Sequence, residues 1–412
     1  MMVAPKLRFK ADDGSDFSGW EEKTLGELCA PLTYGMNAAA TKFDGENRYI
    51  RITDIDDETH ALLPNDIVSP SGELDDKYLV KKGDILLART GASTGKSFLY
   101  HPKDGKLFYA GFLIKAHVLP SSDDYFIYSQ TLTDRYWKWV KTASMRSGQP
   151  GINANEYASY SFVVPSLPEQ RKIADFLSAV DAVIAAQQAE IDAWEQRKKG
   201  VMQKLFSQEV RFKADDGSEF PAWESATVGE LFTFVTEKNK DGHINNVITN
   251  SAERGLVPQR EYFDKDIAVD GNTKGYTVIR KGDFVYNPRK STSAPFGPFN
   301  IYERNEVGIV SPLYTCLTPY DDEMAPYLAW YFKTNRWHPY IVTHGAQSGA
   351  RHDRVGMTVA LMEGIPVLLP SLPEQRKIAD CLASMDEVIQ KSKDELAKWQ
   401  ELKKGLLQQM FV

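Results

Sequence analysis

The stretch PSLPEQRKIADFLSAVDAVI (165–184) returns as PSLPEQRKIADCLASMDEVI (370–389), an offset of 370 − 165 = 205 residues. Self-similarity at a fixed period is settled first, because it decides the architecture of the whole chain. The match widens on both sides. LRFKADDGSDFSGWEEKTLGEL (7–28) returns as VRFKADDGSEFPAWESATVGEL (210–231), and AWEQRKKGVMQKLF (193–206) returns as KWQELKKGLLQQMF (398–411). Two copies fill the 412 residues. Between these anchors the copies diverge. Residues 29–164 and 232–369 share only short echoes, such as LVKKGDILLART (79–90) against VIRKGDFVYNPR (278–289). Near-identical frames therefore hold two dissimilar inserts. Two distinct recognition tasks would produce this pattern, and so would drift of surface-rich regions.

Each PSLPEQ stretch reads as a helix start. Ser166 and Glu169 have capping-box spacing, and Pro168 falls in the first turn, where its missing N–H costs nothing; Ser371, Pro373 and Glu374 repeat the arrangement. A heptad seam follows. In the first copy it reads Ile173, Leu177, Val180, Ile184, Gln187, Ile191, Trp194, Lys198, Val201, Leu205. In the second it reads Ile378, Leu382, Met385, Ile389, Ser392, Leu396, Trp399, Lys403, Leu406, Met410. Alternating spacings of 4 and 3, with polar residues at the same two places, are a coiled-coil signature. About 38 residues at about 1.5 Å each give a rod of roughly 57 Å.

Two helices with one seam are expected to pack on each other. The segment after the first helix, VRFKADDGS, matches LRFKADDGS near the start of the chain. The start of the chain should therefore sit where the second helix ends. That makes the helices antiparallel and the repeat cyclic, with a pseudo-two-fold axis. Gly200 and Gly405 inside the pattern, each costing about 1 kcal/mol against Ala, mark either close helix approach or an early helix end. Simple dimerisation through a coiled coil is the other reading of the seam.

Composition narrows the class. At 42% hydrophobic and 25% charged the chain is ordinary globular protein. No apolar run is long enough to span a membrane, and the opening Met-Met-Val-Ala-Pro-Lys has no signal-peptide core, which predicts a cytoplasmic protein. Cys29, Cys316 and Cys381 are far apart and show no metal-ligand or redox spacing. The net charge of −7 argues against phosphate binding by the chain as a whole. If it binds DNA, its basic residues are concentrated locally or a partner shares the phosphate contacts.

The inserts read as mixed α/β. KKGDILLAR and RKGDFVYNP each read as a turn and a short buried strand, residues 123–144 and 321–345 as amphipathic helices rich in aromatics, and YSFVVPSLP and GIPVLLPSLP as final strands leading into the long helices. Gly91-Ala-Ser-Thr-Gly95-Lys96-Ser97 resembles a phosphate loop, but three residues separate its glycines where the Walker pattern needs four. It reads better as an exposed loop suited to close approach to DNA, with Arg89 and Lys96 as donors; a solvated surface loop is the alternative. A second cluster precedes each final strand, with Arg146 and Gln149 in the first copy and Arg351 and Arg354 in the second. Arg pairs bidentately with guanine and Gln with adenine in the major groove. For each single residue a polar turn is the alternative.

Enzyme chemistry is poorly represented. There is no Gly-x-Ser-x-Gly elbow and no His-Glu-x-x-His, and the seven histidines lack ligand spacing. Asn287-Pro288-Arg289 is not the Asn-Pro-Pro-aromatic motif of methyltransferases, and no glycine-rich cofactor loop is present. No catalytic, cofactor or metal residues are expected.

PSLPEQRKIADFL, its second copy and the KKG helix ends resemble the central and C-terminal conserved regions of specificity subunits of type I restriction-modification systems. GDILLARTGASTGKSFLY and GDFVYNPRKSTSAPFG resemble two classes of their target-recognition domains. The resemblance covers the full chain. It implies a non-catalytic, sequence-specific DNA-recognition subunit. Target-recognition domains at 1–165 and 208–370 would each read half of a bipartite double-stranded DNA site. Long helices at 166–207 and 371–412 would set the gap and dock two methylation subunits. S-adenosylmethionine, ATP and Mg would belong to those subunits and to the motor-nuclease restriction subunits. On this reading Arg51, Arg289 and Lys290 join the candidate DNA contacts. A coiled-coil adaptor without sequence reading is the alternative from another class.

Replacing Ile184 and Ile389 together with charged residues should break the helix packing. The expected result is a large drop in melting temperature with loss of partner assembly; retained assembly would sink the seam assignment.

Overall fold

The computed structural model describes residues 5–146, 148–262, 273–345 and 353–411. The fold is mixed α/β. The chain divides into two compact units, Met1–Ala189 with Lys393–Val412, and Glu190–Ser392. The long helices run Leu167–Phe206 and Leu372–Met410, unbroken, and the division falls near the middle of each. Each helix, expected at 166–207 and 371–412, thus contributes to both units. Their seam residues belong to the cores of the units.

In the first unit, Ile173, Ala174 and Leu177 share one apolar core with Leu407, Met410 and Phe411 and with insert residues such as Trp20, Phe126 and Phe162. In the second, Leu205 and Phe206 share a core with Ile378, Ala379 and Leu382 and with Tyr327, Phe332 and Trp337. Phe411 packs on Phe126 at 5.3 Å between ring centroids, and Phe206 packs on Tyr327 at 5.6 Å. Further along the first unit, Lys403 Nζ pairs with Asp181 Oδ1 at 2.6 Å. In the second, Lys198 pairs with Asp386. As numbers rise on one helix they fall on the other, so within each unit the helix segments are antiparallel. Ile191, Ile389 and Leu396 are also buried, and Ile184, Trp194 and Trp399 are half-buried. The seam lysines are stitched to carboxylates beside the seam, since a charge placed there needs a partner.

The ends meet as the cyclic repeat requires. Leu7 N donates to Gln409 O at 3.0 Å in the first unit, and Val210 N donates to Lys204 O at 3.2 Å in the second. Gly200 and Gly405 have no neighbour within 4 Å of an added Cβ, and both helices continue past them. Neither close approach nor early termination explains these glycines.

The capping-box reading of the helix starts is corrected. Glu169 and Glu374 are fully buried. Arg8 grips Glu169 with two bonds, Nε to Oε1 at 2.9 Å and Nη2 to Oε2 at 2.7 Å. Arg211 grips Glu374 the same way, at 3.0 and 2.7 Å. These bonds hold both guanidinium pKa values above their ordinary value. Arg8 and Arg211 stand at one place in the repeated RFKADDGS segment, so each frame is closed by a buried, forked ion pair.

The divergent inserts share the topology of one four-stranded sheet. The first has an antiparallel sheet ordered Thr33–Tyr34, Leu113–His117, Asp84–Ala88, Ser97–Leu99. The second orders Phe232–Phe234, Thr315–Pro319, Phe284–Tyr286, Phe299–Ile301 in the same way. The KKGD and RKGD turns form as expected: Gly83 and Gly282 take φ of +90° and +95°, and Asp84 and Asp283 accept from Lys81 N and Arg280 N at 2.7 Å. Each insert closes on an antiparallel pair at its base, Glu21–Thr24 with Ser161–Val164 and Glu224–Thr227 with Pro366–Leu369.

The amphipathic stretch 123–144 is two helices, Asp124–Gln130 and Asp134–Ala143. Thr131 Oγ1 donates to Tyr128 O, and Thr133 caps the next helix at Tyr136 N, so side-chain bonds replace the backbone ladder at the break. Ala325–Phe332 and His338–His344 repeat the split in the second unit.

Arg211→Ala strands Glu374, which then keeps, among the described residues, the Trp223 indole bond at 3.1 Å. Denaturant unfolding should show a loss of about 2–3 kcal/mol, and Glu374→Gln in the same background should restore part of it.

Candidate nucleic-acid interface

The two candidate clusters of each insert, far apart in sequence, are brought together. In the first unit Thr90 pairs with Gly151, Gly91 N donates to Pro150 O at 3.0 Å, and Ile152 N donates to Arg89 O at 2.9 Å. In the second, Arg289 pairs with Arg354, Lys290 N donates to Asp353 O, and Val355 N donates to Pro288 O, both at 2.9 Å. Both junctions leave the equivalent strands, Asp84–Ala88 and Phe284–Tyr286. One backbone device thus presents two unrelated sets of side chains.

The first loop is a packed turn, not a phosphate cradle. The N–H groups of Gly91, Thr94, Gly95 and Lys96 are all spent on backbone acceptors. Gly95 has φ +96°, and a Cβ there would meet Val140 at 2.7 Å. Lys96, a candidate donor, is held within the fold. It is buried, and its Nζ donates to Ile55 O and Asp57 Oδ1, both at 2.7 Å. Arg51, a further candidate, is partly exposed and paired with carboxylates near it. Its Nη2 pairs with Asp54 at 2.7 Å and Asp66 at 2.9 Å, which raises its pKa and fastens the turn Ile52–Asp54.

The other candidates lie nearer solvent. Arg89 donates to Gly111 O at 3.3 Å and lies 4.8 Å over the Tyr34 ring. Arg146 is exposed but engaged, pairing with Glu156 at 2.5 Å and donating to Ala143 O and Met145 O. Gln149 is exposed beside Gly91. Arg289 and Lys290 are exposed and, among the described residues, make no ion pair. Arg354 is half-buried with Asp353 at 3.7 Å. Arg351 lies outside the described residues.

Sequence reasoning missed what shapes these loops. In the second unit an amide network does it: Asn287 Nδ2 donates to Asn250 O at 3.1 Å, Asn300 Nδ2 to Asn250 Oδ1 at 2.7 Å, and Asn250 Nδ2 to Val285 O at 2.7 Å. Gly297, at φ +84°, passes so close to Asn287 O that a Cβ would lie 2.0 Å from it. In the first unit the exposed Tyr34 ring lies under Arg89, whose N donates to the O of the exposed Phe112 at 3.0 Å. No periodicity marks any of these residues.

Residues 18–195 match the family model of the type I restriction modification DNA specificity domain. The match spans less than half of the 412 residues. The putative type I restriction enzyme MjaX specificity subunit of Methanocaldococcus jannaschii is 24% identical over 426 residues, covering 97% of this chain and 94% of that protein. The type I restriction enzyme MjaVIII specificity subunit of the same organism is 29% identical over 167 residues, 39% of this chain and 38% of that one. Among solved structures, the type I restriction-modification S subunit from M. genitalium matches with a TM-score of 0.56 at 16% identity, over 100% of this chain and 99% of that one. A chain from a study of complex assembly and conformational transition of the type I R-M system matches at 0.53 and 17% identity, over 94% and 96%. The fold is thus shared with specificity subunits at low identity. Among the described residues, no group of three or more His, Cys, Asp or Glu is placed to hold a metal ion, and no helix is long and apolar enough to cross a membrane.

Lys96→Met leaves Ile55 O without its donor and should cost about 1–3 kcal/mol in thermal unfolding. Gln149→Ala, at an exposed position, should stay within about 0.5 kcal/mol of the parent. Equal effects would contradict the division into anchor and free side chain.

Proposed function

We propose that this chain is the DNA sequence-recognition subunit of a type I restriction-modification complex, in which each unit reads one half of a bipartite double-stranded site. The observation that carries this reading is the pair of loop junctions. They sit at the same place on equivalent sheets and present Arg89 and Gln149 in one unit but Arg289, Lys290 and Arg354 in the other. A shared frame with unlike reading side chains is what two readers of unlike half-sites require, since base edges are distinguished by donor and acceptor pattern.

The long helices are the proposed spacer and the docking surface for two methylation subunits, with motor-nuclease subunits joining for restriction, all in the cytoplasm. The chain itself is not an enzyme on this reading. S-adenosylmethionine, ATP and Mg are assigned to the partners, which also share the phosphate contacts that a chain of net charge −7 supplies poorly. The reading as a coiled-coil adaptor finds no support in the relatives, which are specificity subunits.

Exchanging residues 29–164 for the insert of another specificity subunit tests the two-reader account. One half of the methylated motif should change and the other half and the gap should stay. A change in both halves would contradict it.

A further inference from the structure

The acidic balance of the chain, 56 Asp and Glu against 49 Lys and Arg, is broken locally at one cavity. The cavity holds about 690 Å³ within the unit Glu190–Ser392. It lies where the last turns of the helix Leu167–Phe206 face the turn between Ala325–Phe332 and His338–His344. Lys198, Lys199, Lys333 and Arg336 line it, and among the described residues no Asp or Glu does. Lys198 is neutralised by Asp386. Lys199, Lys333 and Arg336 make no ion pair among the described residues. The ammonium groups of Lys198 and Lys333 both lie over Trp330, at 5.4 and 4.3 Å from its ring centroid. Asp386 offsets Lys198, so the positive potential left at the indole is that of Lys333, on which Asp386 and Glu303 also act from nearby, and a bound anion would relieve what remains.

The cavity is continuous with the candidate reading loop. Ser293 and Ala294 form part of its wall and belong to the same loop as Arg289 and Lys290. The corresponding place in the other unit is chemically different. There Thr133-Asp134-Arg135-Tyr136 stands where Thr334-Asn335-Arg336-Trp337 stands here, with Tyr136 and Trp337 both fully buried. Leu132 replaces Lys333, and Asp134 accepts from Gln408 at 3.1 Å, the helix residue equivalent to Gln203 (408 − 203 = 205). That place has one cation fewer and one carboxylate more.

We infer that the cavity lined by Lys199, Lys333 and Arg336 is a seat for consecutive phosphates of the DNA strand that flanks the half-site read by this unit. The inference rests on the reading of the chain as a DNA-recognition subunit and adds to it an asymmetry: this unit grips the backbone, while the other depends more on its partners. Contacts of this kind position the duplex and carry no sequence information. Their signature is salt dependence, because each neutralised phosphate releases condensed counterions.

The test measures binding of the full-length protein, with its methylation subunits, to a duplex carrying its target over a series of salt concentrations. Lys199→Gln, Lys333→Gln and Arg336→Gln are made singly and together. Each single change should reduce the slope of log K against log salt by about 1, and the triple by about 2–3, with the ranking of target over altered sequences unchanged. Lys333→Arg should keep the parental slope. Melting curves check folding, and if the triple variant does not fold, the single variants and Lys333→Arg decide. An unchanged slope in variants that still bind the target overturns the inference and leaves the recognition reading intact. So does loss of subunit assembly at an unchanged slope, which would make the occupant an acidic protein segment. Failure of the parent to prefer any sequence would overturn the recognition reading itself, and the inference with it.

Discussion

A buried carboxylate at the start of each long helix is the constraint on which the rest of this structure hangs. Glu169 and Glu374 lie out of water, and each is matched by a forked arginine from the repeated RFKADDGS segment. A charge so placed tolerates one partner in one geometry, because desolvation penalises every alternative. The pair therefore decides where each frame closes. Once Arg8 is seated on Glu169, Leu7 meets Gln409, and Leu407, Met410 and Phe411 complete a core begun by Ile173 and Leu177. The second unit repeats the logic with Arg211, Glu374, Leu205 and Phe206. Each unit is finished by the helix end of the other copy, so neither half of the sequence is a closed fold alone.

On that frame the inserts vary without disturbing it. Each carries a four-stranded sheet of the same topology, and the KKGD and RKGD turns launch equivalent strands of it. The residues that differ most lie where the strand leaves the sheet and pairs with the loop before the final strand. A rigid scaffold that positions exchangeable loops is the usual division of labour in recognition proteins. It explains why anchors remain nearly identical across the two copies while residues 29–164 and 232–369 do not.

Periodicity made the helices and their direction legible before any coordinates. Ile173, Leu177, Ile378 and Leu382 repeat at coiled-coil spacing, and cyclic order alone predicted where the start of the chain lies. The loop junctions were legible as clusters but not as partners, since nothing in the order of residues pairs Thr90 with Gly151 or Arg289 with Arg354. What was not legible has one cause. Type and spacing do not show the partners that Lys96, Arg51 and Glu169 take in the fold, namely Asp57, Asp54 with Asp66, and Arg8. An ionic side chain does not declare in sequence whether its partner is a neighbour or a ligand. The Asn250, Asn287 and Asn300 network escaped notice for the same reason.

Mapping methylated bases across the genome, in cells with this chain and its methylation partner and in cells lacking only this chain, tests the central claim most directly. The account predicts that one bipartite motif with a fixed gap is methylated in the first cells and unmethylated in the second. An unchanged methylation pattern would contradict it.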